Sequence, residues 1–253
     1  MDDLRIDLRG GTTLDLTDDD RLRHPSGIDQ AIVDKVVGRR GRLHAFESLD
    51  PARTALVVID MHTGSVEQEL LCTHVVGPIN AMADALRRAG GWVAWVTSEI
   101  DADRTAHLAK IVGADRAAMF AEGARLGSRG AAMWPDLDVH HHDDVFASKR
   151  GTSAFFPGNC SLPRQLDAHD ITSILIAGTV TNVCCESSAR DATELGYEVT
   201  MVSDACHGHS YGLHEASLAT FFRIFGDVRP AAEVLDLIAA GDRQRVSGSG
   251  RAH

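Results

Sequence analysis

A thiol, a carboxylate and an ammonium group hold equivalent places in three separate stretches of the chain. Cys184 lies in GTVTNVCCESSARDA (178–192), directly after the apolar run Ile174 to Ala177. Asp60 closes TALVVID (54–60), and Lys149 closes DVFASK (144–149). Short, largely apolar runs of this kind read as parallel strands covered on both faces, with the polar residue at or just beyond the carboxyl end. In a parallel sheet those ends share one edge, so residues distant in sequence meet there. The chemistry on offer is nucleophilic. A thiol with an ordinary pKa of about 8.5 is mostly protonated at neutral pH; an adjacent ammonium favours the thiolate, and a carboxylate accepts the proton as attack begins. The segment after Gly178 has helical spacing, which puts Cys184 in a first turn whose unpaired backbone N–H groups stabilise a thiolate and then an oxyanion. Each residue also has a plainer reading: strand-end aspartates cap turns, single lysines sit in solvent, and a free cysteine is commonly a small core hydrophobe.

The surrounding pattern supplies elements to position these groups. Gly77-Pro78 introduces a helix with Ile79, Met82, Ala83, Leu86 and Ala89 on one side, ended by Gly90-Gly91 and followed by the strand WVAWVTS (92–98). Residues 99–135 read as two short helices and a glycine-rich link, either a lid or peripheral packing. After DVFASK, a loop marked by Gly151 and Pro157-Gly158 leads to a helix in SLPRQLDAHD, then to the strand SILIAG and the cysteine segment. YEVTMVSDA (197–205) is the next strand, 212–225 a helix, Asp227-Val228 a short last strand, and AAEVLDLIAA a closing helix. Strands alternating with helices predict an α/β protein, a single doubly wound domain over 51–242 with a central parallel sheet of about six strands and helices on both faces. Neither GxGxxG nor GxxxxGK[ST] occurs. Residues 1–50 read as an amino-terminal arm: DLTDDDRLRHPSG is turn-like, and Ile28, Ile32, Val33, Val36 and Val37 space a short amphipathic helix that packs on a partner subunit or on its own domain. Residues 243–253 read as a flexible tail.

Composition removes several classes of function. With 36 acidic against 25 basic residues the formal charge is -11, and Arg39-Arg40 and Arg87-Arg88 are too small to make a nucleic-acid groove. No stretch reaches the length of a membrane span, and the start MDDLRIDLRG lacks the features of a secretion signal, so a cytoplasmic location is expected. Five cysteines without a CxxC pair favour reduced thiols over a disulfide framework or a structural zinc.

VVIDM (57–61), SKRGTSAFF (148–156), GTVTNVCCESSARDA (178–192) and YEVTMVSDAC (197–206) together resemble the catalytic blocks of the isochorismatase-like cysteine hydrolases, in the same order. That superfamily includes nicotinamidases, N-carbamoylsarcosine amidohydrolase and ureidoacrylate amidohydrolases, and the resemblance covers roughly residues 52–240. It implies Asp60 as general base, Lys149 as the charged member beside the nucleophile, and Cys184 as nucleophile. It also implies a cis peptide at Thr179-Val180, an oxyanion hole from the backbone N–H groups of Val180 and Cys184, and a bracing role for Thr181. The implied activity is hydrolysis of a small-molecule amide or ureido C–N bond through a thioester, with no cofactor, in a dimer or tetramer. The ureidoacrylate and N-carbamoyl amidohydrolases are the nearest in style. Ether hydrolysis, or a non-catalytic binding or scaffold role on the same fold, are the alternatives.

Substrate contacts are expected from His62, which stands where the family often has glutamine, and from Glu99, Arg150, Ser153, Phe155, Asn159, His207 and His209. Arg150 offers a rigid fork for a carboxylate. Of Phe155 and Phe156, one faces substrate while the other packs inside. No metal site is expected: SEIDAD (98–103) lacks a DxH pattern, and His140-His141-His142 precedes the Lys149 strand at its far end. Cys185 is expected in the core.

Overall fold

Every residue of Thr54–Ile59 is buried, as a strand covered on both faces requires. Its side chains alternate between two apolar layers. Val57 and Ile59 join Ile174, Ile176, Phe155, Leu162, Phe221 and Phe222 on one face. Leu56 and Val58 join Trp95, Ile79, Met82, Leu86, Val234 and Ile238 on the other. The computed structural model describes residues 28–249 together with two short strands nearer the start. Those two, β1 (Arg5–Leu8) and β2 (Thr12–Asp15), form an antiparallel hairpin inside the arm.

Six further strands make one parallel sheet: β3 (Thr54–Ile59), β4 (Trp92–Ser98), β5 (Val145–Lys149), β6 (Ser173–Thr179), β7 (Glu198–His207) and β8 (Asp227–Arg229). Their order is β5-β4-β3-β6-β7-β8. The chain enters at the centre, winds out to β5, returns to β6 beside β3, and winds out to β8 on the other side. Helices Val76–Arg88 and Ala231–Ser249 cover one face, and Leu162–Asp167, Glu186–Glu194 and Tyr211–Ile224 cover the other. The doubly wound expectation therefore holds. The reversal between β3 and β6 creates a crevice beyond their carboxyl ends.

One boundary differs from the sequence reading, and one alternative it left open is decided. The described part of the arm lies on its own domain: helix Gln30–Arg40 buries Val36 in the core, Arg40 donates to Phe222 O at 2.9 Å and lies over the Phe222 ring, and Arg39 donates to Arg223 O. The turn-like stretch DLTDDDRLRHPSG starts at Asp15, the last residue of β2, and the rest of it, 16–27, lies outside the described residues. The closing helix runs on to Ser249 instead of ending near 242. Gly241 within it is a close-packing residue, since a Cβ there would lie 2.2 Å from Leu49 O. The last residues of the expected tail, 250–253, lie outside the described residues. No helix among the described residues is long and apolar enough to cross a membrane.

Gly178 fixes the separation of β3 and β6 at the crevice. It pairs with Ile59 in the ladder, its φ is +113°, and a Cβ would stand 2.1 Å from Ile59 O. Gly178→Ala should therefore lower stability by roughly 2–4 kcal/mol through backbone strain and a backbone clash. Gly212→Ala, where a Cβ meets nothing within 4 Å, is the control and should stay within about 0.5 kcal/mol. Equilibrium urea unfolding of the two variants measures both.

Candidate active site

Asp60, Lys149 and Cys184 converge at the crevice, each delivered by a different local device. Asp60 follows β3 at φ +54°, a left-handed conformation that aspartate tolerates better than most residues, with its N–H bonded to Val96 O at 2.8 Å. Lys149 ends the edge strand β5, where Val145, Ala147 and Lys149 point inward and Phe146 and Ser148 point outward. That alternation buries the ammonium, and the Lys149 side chain is only 1% exposed. Cys184 follows β6 through a cis Thr179-Val180 peptide and a wide π-helical turn, Thr181–Cys185, that continues into helix Glu186–Glu194. Val180 O accepts from the N–H groups of Val183 and Cys185 at 3.0 and 3.3 Å. Thr181 braces the turn, its hydroxyl 2.8 Å from His214 Nδ1 and its carbonyl accepting from Ser217 Oγ.

One cation links the other groups. Lys149 Nζ lies 2.8 Å from Asp60 Oδ2 and 3.4 Å from Cys184 Sγ, and it donates to Gly151 O at 3.3 Å. It also donates to Ser98 Oγ at 2.9 Å, while that hydroxyl donates to Asp60 Oδ1 at 2.9 Å. Ser98 was not singled out from sequence. It closes WVAWVTS and is the direct register partner of Lys149, so the strand-end rule that drew attention to the other residues also pointed to it.

Burial penalises the Asp60 carboxylate, but the Lys149 ammonium, aided by His62 and hydrogen bonding, holds it below its ordinary pKa. Burial also works against the ammonium, and the Asp60 carboxylate followed by Cys184 raises it on balance. For Cys184, burial and then the Asp60 carboxylate push the thiol up to about 12 against the pull of Lys149. The resting site is thus carboxylate, ammonium and neutral thiol. The ammonium does not by itself yield a resting thiolate, because the nearer anion already claims it. Moving the thiol proton to Asp60 transfers negative charge from oxygen to sulfur around the same cation, so no new charge is created in the buried site.

The expected substrate contacts divide into separate groups. A cleft of about 670 Å³ is lined by Arg150, Ser153 and Asn159, together with Phe156, Arg104 and Arg190. Arg150 is exposed and lies 3.8 Å from Glu99, which does not line the cleft. Ser153 Oγ accepts from the N–H groups of Phe155 and Phe156, so it mainly shapes the turn. Phe155 is buried against Tyr197, and Phe156 is the aromatic that faces the cleft; an irregular loop carries no period from which the choice could be read. His62 is buried, with Nδ1 bonded to Gly130 O at 2.9 Å and Nε2 to Ser65 Oγ at 3.0 Å, so both ring nitrogens tie the loop together instead of meeting substrate. Backbone bonds from Thr63 to Ala132 and from Trp134 to Met61 stitch the end of the 99–135 segment to that same loop. His207 is the last residue of β7 and His209 follows it, and neither lines the cleft. Cys185 is in the core, and His140 pairs with Asp138 before β5.

The isochorismatase domain family matches residues 54–233, a span that includes all three converging residues. The chain is 30% identical over 197 residues to YwoC, an uncharacterized isochorismatase family protein of Bacillus subtilis, across 76% of this chain and 97% of that protein. It is 27% identical over 215 residues to the ureidoacrylate amidohydrolase RutB of Agrobacterium fabrum, across 76% of this chain and 92% of that protein. The crystal structure of a cysteine hydrolase from Pseudomonas syringae pv. phaseolicola superposes with a TM-score of 0.69 at 26% identity, covering 79% of this chain and 99% of that one.

The shared cation makes a counter-intuitive test of the electrostatics. Asp60→Asn removes the anion that competes with sulfur for Lys149, so the Cys184 thiol pKa should fall. Stoichiometric alkylation of Cys184 by iodoacetamide at neutral pH, followed by peptide mass spectrometry, should then become about tenfold faster or more. Equal or slower alkylation in a variant that remains folded would show that Lys149 does not govern the sulfur.

Proposed function

Because the chain belongs to the isochorismatase family of hydrolases, we propose that it hydrolyses a small-molecule amide or ureido C–N bond with Cys184 as nucleophile. The observation that carries this reading is the Lys149 ammonium within reach of both Asp60 Oδ2 at 2.8 Å and Cys184 Sγ at 3.4 Å. The similarity to a ureidoacrylate amidohydrolase supports the choice of bond.

Asp60 accepts the Cys184 proton as sulfur bonds to the substrate carbonyl carbon. The carbonyl π electrons move to oxygen, which faces the backbone N–H groups of Val180 and Cys184; one such donor is worth roughly 2.7–4 kcal/mol in a well-tuned site. Collapse of the tetrahedral intermediate breaks the C–N bond, and the departing nitrogen takes its proton from Asp60, leaving a thioester. Asp60 then removes a proton from water as its oxygen attacks the thioester carbon. The acid product leaves and the proton returns to sulfur. Lys149 stays protonated throughout and offsets whichever of the two neighbours is anionic. Arg150, on the cleft wall, presents a planar fork to a substrate carboxylate.

A rapid-quench experiment on a panel of ureidoacrylate, N-carbamoyl amino acids, nicotinamide, biuret and dicarboxylic monoamides should trap an acyl adduct on Cys184 with the preferred substrate. Cys184→Ala should lower kcat by about 10⁴-fold or more. Full turnover by that variant would end the proposal. Arg150→Ala should raise KM for carboxylate-bearing substrates roughly 10–100-fold, the value of a lost charge-assisted pair, with much less effect on neutral amides.

A further inference from the structure

We propose that Glu69, His207 and His209 form a binding site for a divalent transition metal, zinc being the best chemical fit. One ligand atom from each of the three residues lies within 4.8 Å of the others. His209 Nδ1 and Glu69 Oε2 are already 3.5 Å apart, close to the spacing of about 3.3 Å that ligands adopt around a tetrahedral zinc with bonds near 2.0–2.1 Å. The His207 ring atom lies within 4.8 Å of both, so the three atoms bracket one point that a single ion could occupy.

Each ligand is held in place for reasons unrelated to the cleft. Glu69 occupies the cap position of the short helix Leu70–Val75 yet makes no cap bond there, and its carboxylate reaches His209. The β6–β7 register shifts between Ile176 and Gly178, and after the shift β7 runs on until His207 lies opposite Thr179. His207 is buried, its carbonyl accepts from the Thr179 hydroxyl at 3.4 Å, and the His74 ring stands edge-on to it at 5.2 Å. His209 follows after a single glycine and is half-exposed, which gives a metal ion a route in from solvent. Two imidazoles and one carboxylate are a donor set for zinc and its neighbours rather than for calcium or magnesium, which prefer oxygen, and a fourth position stays open for water or another ligand. The site lies on the β7 side of the cysteine turn, whereas the Asp60–Lys149 pair lies on the β3 and β5 side. A bound ion would clamp the segment before Leu70–Val75 to the end of β7. His207 and His209, expected from sequence to touch substrate, become metal ligands in this reading, and the expectation of a metal-free protein gives way.

The test uses the whole protein, stripped with a chelator and dialysed against zinc at micromolar concentration. Wild type should retain about one zinc per chain, show a raised melting temperature with zinc, and give visible absorption bands with cobalt in a tetrahedral field. Glu69→Gln and His209→Ala should each weaken zinc binding about tenfold or more and remove the thermal shift. His207→Gln, checked for folding by circular dichroism, should do the same. A variant with His140, His141 and His142 all replaced by alanine should bind zinc like wild type. The proposal is overturned if wild type retains no zinc, if Glu69→Gln and His209→Ala both bind it undiminished, or if the triple-alanine variant loses it.

Discussion

The buried ammonium of Lys149 is the constraint around which this site is arranged. A charge with 1% exposure is tolerated only with close partners, because removing one member of a buried pair typically costs about 3–5 kcal/mol. Asp60, Ser98, Gly151 O and Cys184 all lie within 3.4 Å of the nitrogen. An ammonium has three hydrogens, so four acceptors cannot all be fully served. The sulfur, at the longest distance, holds the weakest share while it is a thiol. Its share grows as it becomes an anion, and the share of Asp60 falls as that carboxylate takes up a proton. The same cation therefore stabilises both ends of the proton transfer, which is what the proposed hydrolysis asks of the site.

The sheet topology is what allows one cation to serve groups from three strand ends. β3 and β6 are neighbours only because the chain reverses its winding between them, and the close approach at Gly178 sets their spacing. Lys149 starts two strands away, on the edge, and must reach inward beneath the end of β4. Ser98 occupies that intervening position, accepting from the lysine and donating to the aspartate. Without that hydroxyl, Asp60 Oδ1 would lose a donor and Lys149 Nζ an acceptor. The hydroxyl is the link that turns a long lysine reach into a fixed position.

Much of this was legible in the sequence because fully buried parallel strands announce themselves as apolar runs, and their ends fall on one edge. That logic placed Asp60, Lys149 and Cys184 together without reference to any contact. It passed over Ser98 because a serine closing a strand is too ordinary a signal, although its position obeyed the same rule. It gave no means of choosing between Phe155 and Phe156, since the loop holding them has no periodicity to reveal which ring turns inward. His62 looked chemically able, but loop partners such as Gly130 and Ser65 become visible only in three dimensions. The gathering of Glu69 with His207 and His209 is likewise non-local, and it depends on a register shift in β7 that no residue type marks.

A neutral resting thiol also shifts the burden of selectivity. A standing thiolate would react with many electrophiles, whereas in the proposed reaction Cys184 loses its proton in the presence of the carbonyl it attacks, which leaves recognition to the groups around it. The cleft works against the protein as a whole, whose formal charge of -11 repels anions at long range. Salt limits such repulsion to about 8–10 Å at physiological ionic strength. Inside that distance an anion in the cleft meets Arg104, Arg150 and Arg190, offset in part by Asp101 and Asp191 in the same wall. Arg190 already pairs with Glu186, whereas Arg150 has Glu99 no nearer than 3.8 Å, well beyond a strong charge-assisted bond. Arg150 is thus the less committed of these two guanidinium groups, and a carboxylate entering the cleft gains most by displacing its loose contact with Glu99.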